Sequence, residues 1–158
     1  MYRIGEGMEK LERIVFVARS GSCREPMAMG ILQDLSLKQD VEILARGLLV
    51  SFPEPMNGKA EAVLIGNGIN LVDFTSKELT NEDITENTLV FTMERKHKEK
   101  VLAHFSNANE ENVHVLTDFV GDELEILEPY GGPLQLYGLC YETLRKSLKK
   151  LVKILNEE

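Results

Sequence analysis

Ile14-Val-Phe-Val-Ala-Arg-Ser-Gly-Ser-Cys-Arg-Glu-Pro-Met-Ala28 is the stretch that decides the fold. Its first half, Arg13–Ala18, is a short β-branched run with few polar residues. A parallel strand covered on both faces reads this way. Arg19–Arg24 is small and polar around Gly21, and Pro26 follows at a position favoured in the first turn of a helix. Met27, Ile31, Leu32 and Leu35 then recur at helical spacing. A tight loop that enters a helix aims several backbone N–H groups and the positive helix end at one point, which suits a phosphate or sulfate dianion. Arg24 stands at the junction, where its planar fork can grip two oxygens at once.

The remaining chain repeats the strand–helix alternation. Val41–Ala45, Thr88–Met93 and Asn112–Leu116 read as further short strands, and Lys59–Ile65 and Glu94–Phe105 as helices. Ser51–Gly58 is a loop, Thr75–Leu79 a short helix or turn, and Asp118–Gly132 a long acidic loop. Leu134–Leu155 closes the chain as a strongly periodic helix through Leu136, Leu139, Tyr141, Leu144, Leu148 and Leu151. Four strands in this order predict an α/β fold: a four-stranded parallel sheet with helices on both faces. Ligands of such sheets sit at the carboxyl ends of strands, so loop 18–24 is the expected site. Residues 1–12 read as a polar leader and 13–158 as the domain.

The bulk chemistry narrows the classes. The 158-residue chain is 43% hydrophobic and 28% charged, ordinary for a globular domain. A formal net charge of -8 argues against nucleic-acid or anionic-membrane partners, which want clustered Lys and Arg. Glu6, Glu9 and Glu12 and the lack of an apolar run argue against a secretory signal, and no stretch approaches a membrane span. Two cysteines, Cys23 and Cys140, suggest neither a disulfide framework nor a zinc site. The expectation is a cytoplasmic protein with no cofactor and no metal; His97 and His104 share a helix face but have no ligand partners at metal spacing. The run Glu94–Lys100 reads as a solvated helix face.

The motif around residues 14–28 resembles the low-molecular-weight protein-tyrosine-phosphatases. These carry a cysteine after the first strand, five residues and an arginine, then Ser-Pro opening a helix. Cys23, Arg24 and Pro26 match. So do Thr75–Leu79, the Leu-Val-Phe-Thr-Met strand with its charged helix, and Glu128-Pro-Tyr-Gly-Gly132, which resembles the family's acid loop. The resemblance implies hydrolysis of phosphorylated protein side chains, phosphotyrosine or phosphoarginine, through a cysteinyl-phosphate. The nucleophile position would be Ala18, the anion cradle Arg19, Ser20, Gly21, Ser22, Cys23 and Arg24, the general acid Glu128, and the substrate walls Tyr130 and Phe52.

The departures from that family bear on chemistry. Ala18 has no lone pair with which to attack phosphorus, so a cysteinyl-phosphate cannot form on this chain. Ser20 stands where the family usually has Gly, Gly21 where it has Asn, and Phe74 where a histidine braces that Asn. Glu25 replaces a serine whose hydroxyl steadies the thiolate. An engineered exchange explains Ala18 alone, whereas natural loss of the nucleophile also accommodates the other four. The expected function is that of a phosphatase-like protein inactive as written; the alternative is a non-enzymatic module binding phosphate or a phosphorylated protein. Glu25 is expected to face solvent and complement the helix dipole. Pointed inward it would repel a dianion by roughly 4 kcal/mol at about 4 Å and an effective dielectric near 20. Cys23 and Cys140 are expected to be buried packing residues rather than substitute nucleophiles.

Overall fold

The structure is a computed structural model and describes residues 10–157. The expected leader therefore lies mostly outside the described residues; at its end Leu11 is buried. Four strands form one all-parallel sheet: β1 (Arg13–Ala18), β2 (Glu42–Gly47), β3 (Thr88–Thr92) and β4 (Val113–Val115), in the order β2-β1-β3-β4. The chain leaves β1 toward one edge and returns to its other side at β3, so the end of β1 is a topological switch point. The sheet expected from the sequence is the one observed.

The reason β1 carries apolar residues at successive positions is visible in its neighbours. Ile14, Phe16 and Ala18 enter one core with Met27, Ile31, Leu144 and Leu148, while Val15 and Val17 enter a second with Leu79, Ile84, Val90 and Val101. Both faces are dry, and each fully buried large aliphatic or aromatic side chain contributes about 1.5–3 kcal/mol. Helices α1 (Arg24–Asp34), α2 (Gly58–Gly66) and α5 (Leu134–Glu157) pack together over the first face, and α3 (Arg95–His104) covers the second. A five-residue helix, α4 (Leu116–Val120), follows β4 and ends at Gly121, whose φ of +84° is the left-handed geometry glycine adopts freely.

Several local expectations change. Thr75–Leu79 is neither helix nor turn but extended chain, bridged through Thr75 to Pro55 and through Glu78 to Gly47. Backbone pairing across the chain outcompetes any local helical preference there. The acidic segment after β4 begins with α4 rather than a loop. On α5 the core face is Tyr137, Cys140, Tyr141, Leu144, Leu148, Leu151 and Leu155, whereas Leu136 and Leu139 are exposed. Asn57 caps α2 by accepting from the N–H groups of Lys59 and Ala60.

Candidate active site

Loop 18–24 leaves β1 at the switch point and is held along its length by backbone hydrogen bonds. The Ala18 and Arg19 carbonyls accept from Leu48 and Leu49 at 2.9 Å, and the Ser22 carbonyl accepts from Asn57 at 2.8 Å. Gly21 adopts a φ of +77°, the one left-handed residue in the loop. Gly47 lies so close beneath that a Cβ there would stand 2.5 Å from the Gly21 nitrogen. The Ser20 and Ser22 hydroxyls lie 3.2 Å apart, and the Ser22 N–H donates to Ser20 Oγ. Ala18 is fully buried, so its methyl group forms part of the loop's floor.

Arg24 is only 1% exposed. Its Nη1 donates to Glu94 Oε2 at 2.7 Å and to the Ile126 carbonyl at 2.6 Å, and Nη2 makes a longer contact of 3.3 Å to Glu128 Oε2. Ile126 is in turn fixed by its N–H on the Met93 carbonyl at the end of β3. The Nε group is buried without a hydrogen-bond partner among the described residues. One edge of the guanidinium is thus pinned, and the Nε–Nη2 edge carries a single long bond.

Glu94 and His97 sit inside this arrangement, against the expectation of a solvated face for Glu94–Lys100. Arg95, Lys96, Glu99 and Lys100 are exposed, but His97 is buried and the Glu94 side chain is only 12% exposed. Burial alone would raise the Glu94 pKa; the hydrogen bond and charge of Arg24 hold it below the usual carboxylate value. His97 Nδ1 accepts the Glu94 N–H at 3.1 Å, which places the ring hydrogen on Nε2, 3.7 Å from Glu94 Oε2. Burial and the nearby Arg24 push its pKa down to about 4, so the ring is neutral at neutral pH. The spacing Glu94, His97, Val101 is one helix face, a signal that the surrounding charges obscure.

Glu25 also turns inward rather than to solvent. It is 1% exposed, and its Oε2 accepts the Gly21 N–H at 2.6 Å. Its own backbone N–H also reaches the carboxylate. Burial raises its pKa to about 7 against the opposing pull of these N–H groups and Arg24. As the second residue of α1, Glu25 lies four positions after Gly21 and takes a backbone N–H of the preceding loop. Two carboxylates, Glu94 and Glu128, therefore pair with one buried guanidinium, and a third, Glu25, is buried against the loop beside them.

The other expected site residues fall as follows. Arg19 is exposed at the rim, and Ser20 and Ser22 are half-buried. Cys23 is buried, and burial followed by the charge of Glu128 pushes its thiol pKa up, so it carries no thiolate. Cys140 is buried on the core face of α5, its pKa raised to about 12 by burial. Tyr130 and Phe52 are largely exposed, and the Tyr130 N–H donates to Glu128 Oε1 at 3.2 Å, which fixes the turn at 128–130. Phe74 is half-buried and packs against the core on the α1 side. No cluster of three metal-ligating side chains occurs among the described residues, and no helix there is long and apolar enough to cross a membrane.

The comparisons with known proteins bear on the family and the fold. A family model for low molecular weight phosphotyrosine protein phosphatase matches residues 13–158. A protein-arginine-phosphatase from Geobacillus stearothermophilus is 28% identical over 146 residues, covering 92% of this chain and 97% of that protein. The solved YwlE arginine phosphatase from the same organism superposes with a TM-score of 0.85 at 29% identity, covering 92% and 94% of the two chains. A low molecular weight protein tyrosine phosphatase from T. tengcongensis gives 0.84 at 31% identity, covering 91% and 99%. With its all-parallel sheet and its loop entering α1 at Arg24, the chain belongs to the low molecular weight phosphotyrosine protein phosphatase family.

Proposed function

We propose that this chain binds the phosphoryl group of a phosphorylated protein side chain in loop 18–24 and does not hydrolyse it. Hydrolysis through a covalent phospho-enzyme needs a nucleophile where Ala18 stands, and an alanine methyl group supplies none. Cys23 does not replace it, being a buried neutral thiol. Binding is supported by one observation above the others: the Arg24 Nε is buried with no partner among the described residues, beside an Nη2 with a 3.3 Å contact to Glu128. A buried unsatisfied donor costs about 1–3 kcal/mol, and two oxygens of a phosphoryl group satisfy that edge bidentately. The relatives named above act on phosphoarginine or phosphotyrosine proteins by their names, so these two side chains are the ligands to test.

Titration with phosphotyrosine and phosphoarginine peptides, followed by calorimetry and by backbone amide shifts of residues 19–24, tests the reading. Millimolar or tighter binding with no release of inorganic phosphate is expected, lost on Arg24→Lys because a lysine cannot reproduce the fork. Binding that is unchanged by that substitution, or steady phosphate release, overturns it.

A further inference from the structure

The cradle already holds an anion of its own. Glu25 is the second residue of α1, its carboxylate is almost wholly buried, and it takes the N–H of Gly21 at 2.6 Å. Gly21 sits at the bend of the loop whose N–H groups would receive a phosphoryl group. A Cβ on Gly21 would point toward Gly47 and the Lys77 carbonyl, so the carboxylate holds the loop through the Gly21 N–H alone.

We propose that Glu25 is a resident competitor for the cradle, so that loop 18–24 accepts an oxyanion only when this carboxylate gives up its negative charge or swings away from Gly21. The proposal rests on the reading of the loop as an oxyanion site and adds the condition under which the site opens. An ionised Glu25 withholds one loop donor and repels the incoming charge. A protonated Glu25 removes the repulsion and releases the donor at little cost.

The surroundings make that protonation accessible near neutrality. Arg24 on α1 favours the charged form, and Glu128 from the segment before α5 opposes it. The remaining ionisable groups facing Glu25 are Cys23 on the loop and Cys140 on α5, both neutral thiols. Glu94 pairs with Arg24 rather than with Glu25 and is ionised, and His97 beside it is neutral. Burial dominates and brings the carboxyl to about 7. Oxyanion affinity therefore falls as pH rises through this value, by up to about tenfold per pH unit for one linked proton.

Sulfate is the probe of choice, because its own charge does not change across this range. Calorimetric titration of the wild-type chain and of Glu25→Gln from about pH 5.5 to about pH 8.5 reads the effect directly. The expected result is wild-type affinity that weakens above neutrality and a variant that binds tighter at high pH with a flat profile. Glu25→Ser, which restores the family's residue, serves as the second variant if Gln is poorly accommodated. In the ligand-free wild type, the Gly21 amide shift should titrate near neutrality and do so in neither variant. Equal sulfate affinity and equal pH profile in wild type and variants overturns the competitor role while leaving the binding site intact. Absence of sulfate binding in all three proteins overturns the oxyanion reading itself.

Discussion

Glu25 Oε2 accepts the backbone N–H of Gly21 across 2.6 Å, joining the first turn of α1 to the bend of the loop that precedes it. The contact ties a buried carboxylate to the one left-handed residue of the loop. A β-carbon at 21 would press on Gly47 on the other side, whose backbone nitrogen lies 3.1 Å from the place a Cβ would take. With glycine there, the corner is stapled from the helix side by a carboxylate.

That charge has a signature in stability. Glu25 is buried with its pKa raised to about 7, so the folded chain holds a proton that the unfolded chain releases near 4.5. Its contribution to stability is therefore greatest below the unfolded value and is lost as pH rises to about 7. Urea denaturation of wild type and Glu25→Gln across this range should show the variant gaining a few kcal/mol relative to wild type between acid and neutral pH, at about 1.4 kcal/mol per unit. The neutral His97 gives the opposite slope on the acid side, but it is common to both proteins and cancels in the difference. A difference that does not move with pH would refute the assignment.

Arg24 carries the neighbouring elements. Its Nη1 alone bridges Glu94 at the start of α3 and the Ile126 carbonyl. Arg24→Ala leaves the Glu94 carboxylate largely buried without its cation, and should cost about 3–5 kcal/mol in urea denaturation. A loss below about 1 kcal/mol would show that Glu94 finds solvent or Lys96 at no penalty.

Gly47→Ala should damage the loop from outside it. The new methyl group would meet the Gly21 nitrogen at 2.5 Å and the Ser20 carbonyl carbon at 2.6 Å, backbone atoms that a rotamer change cannot move. The expected cost is about 1–3 kcal/mol, with amide shifts changed throughout residues 19–24. Wild-type shifts in those residues would mean the loop tolerates the displacement.

Restoring a nucleophile tests the chemistry of the scaffold. Ala18→Cys supplies a thiol, but a carboxylate at 25 raises thiol pKa values where the family's serine would stabilise the thiolate. The single variant should hydrolyse an aryl phosphate slowly, and Ala18→Cys with Glu25→Ser should be about tenfold faster or more in kcat/KM at neutral pH. Glu128→Gln in the double variant should then lower kcat if Glu128 protonates the leaving oxygen, typically by about 100-fold. Equal rates in the single and double variants would discount Glu25; no turnover in either would mean the loop no longer orients an attack.

Much of the fold was legible because it rests on local pattern. Arg13–Ala18 could be bounded to the residue, since a dry strand needs apolar side chains on both faces and the polar loop ends it. The helices read at 59–65 and 94–105 needed only spacing and caps, and each is within one residue of the observed end. Leu136 and Leu139 misled for the complementary reason: leucine fits a periodic stripe, and only the packing of α5 against α1 and α2 chooses which stripe is covered.

The charged residues were beyond any local reading. The chain by itself determined the sheet, the switch point at the end of β1, the glycine bend and the absence of a nucleophile at Ala18, because each is a property of one residue or one short period. It did not determine that Glu25, Glu94 and His97 turn inward. Burying a charge is favourable only when a partner arrives, and Arg24 meets its partners from 70 and 104 residues away. Tertiary structure decided the electrostatics of the cradle, since only the folded chain brings two distant carboxylates to one guanidinium.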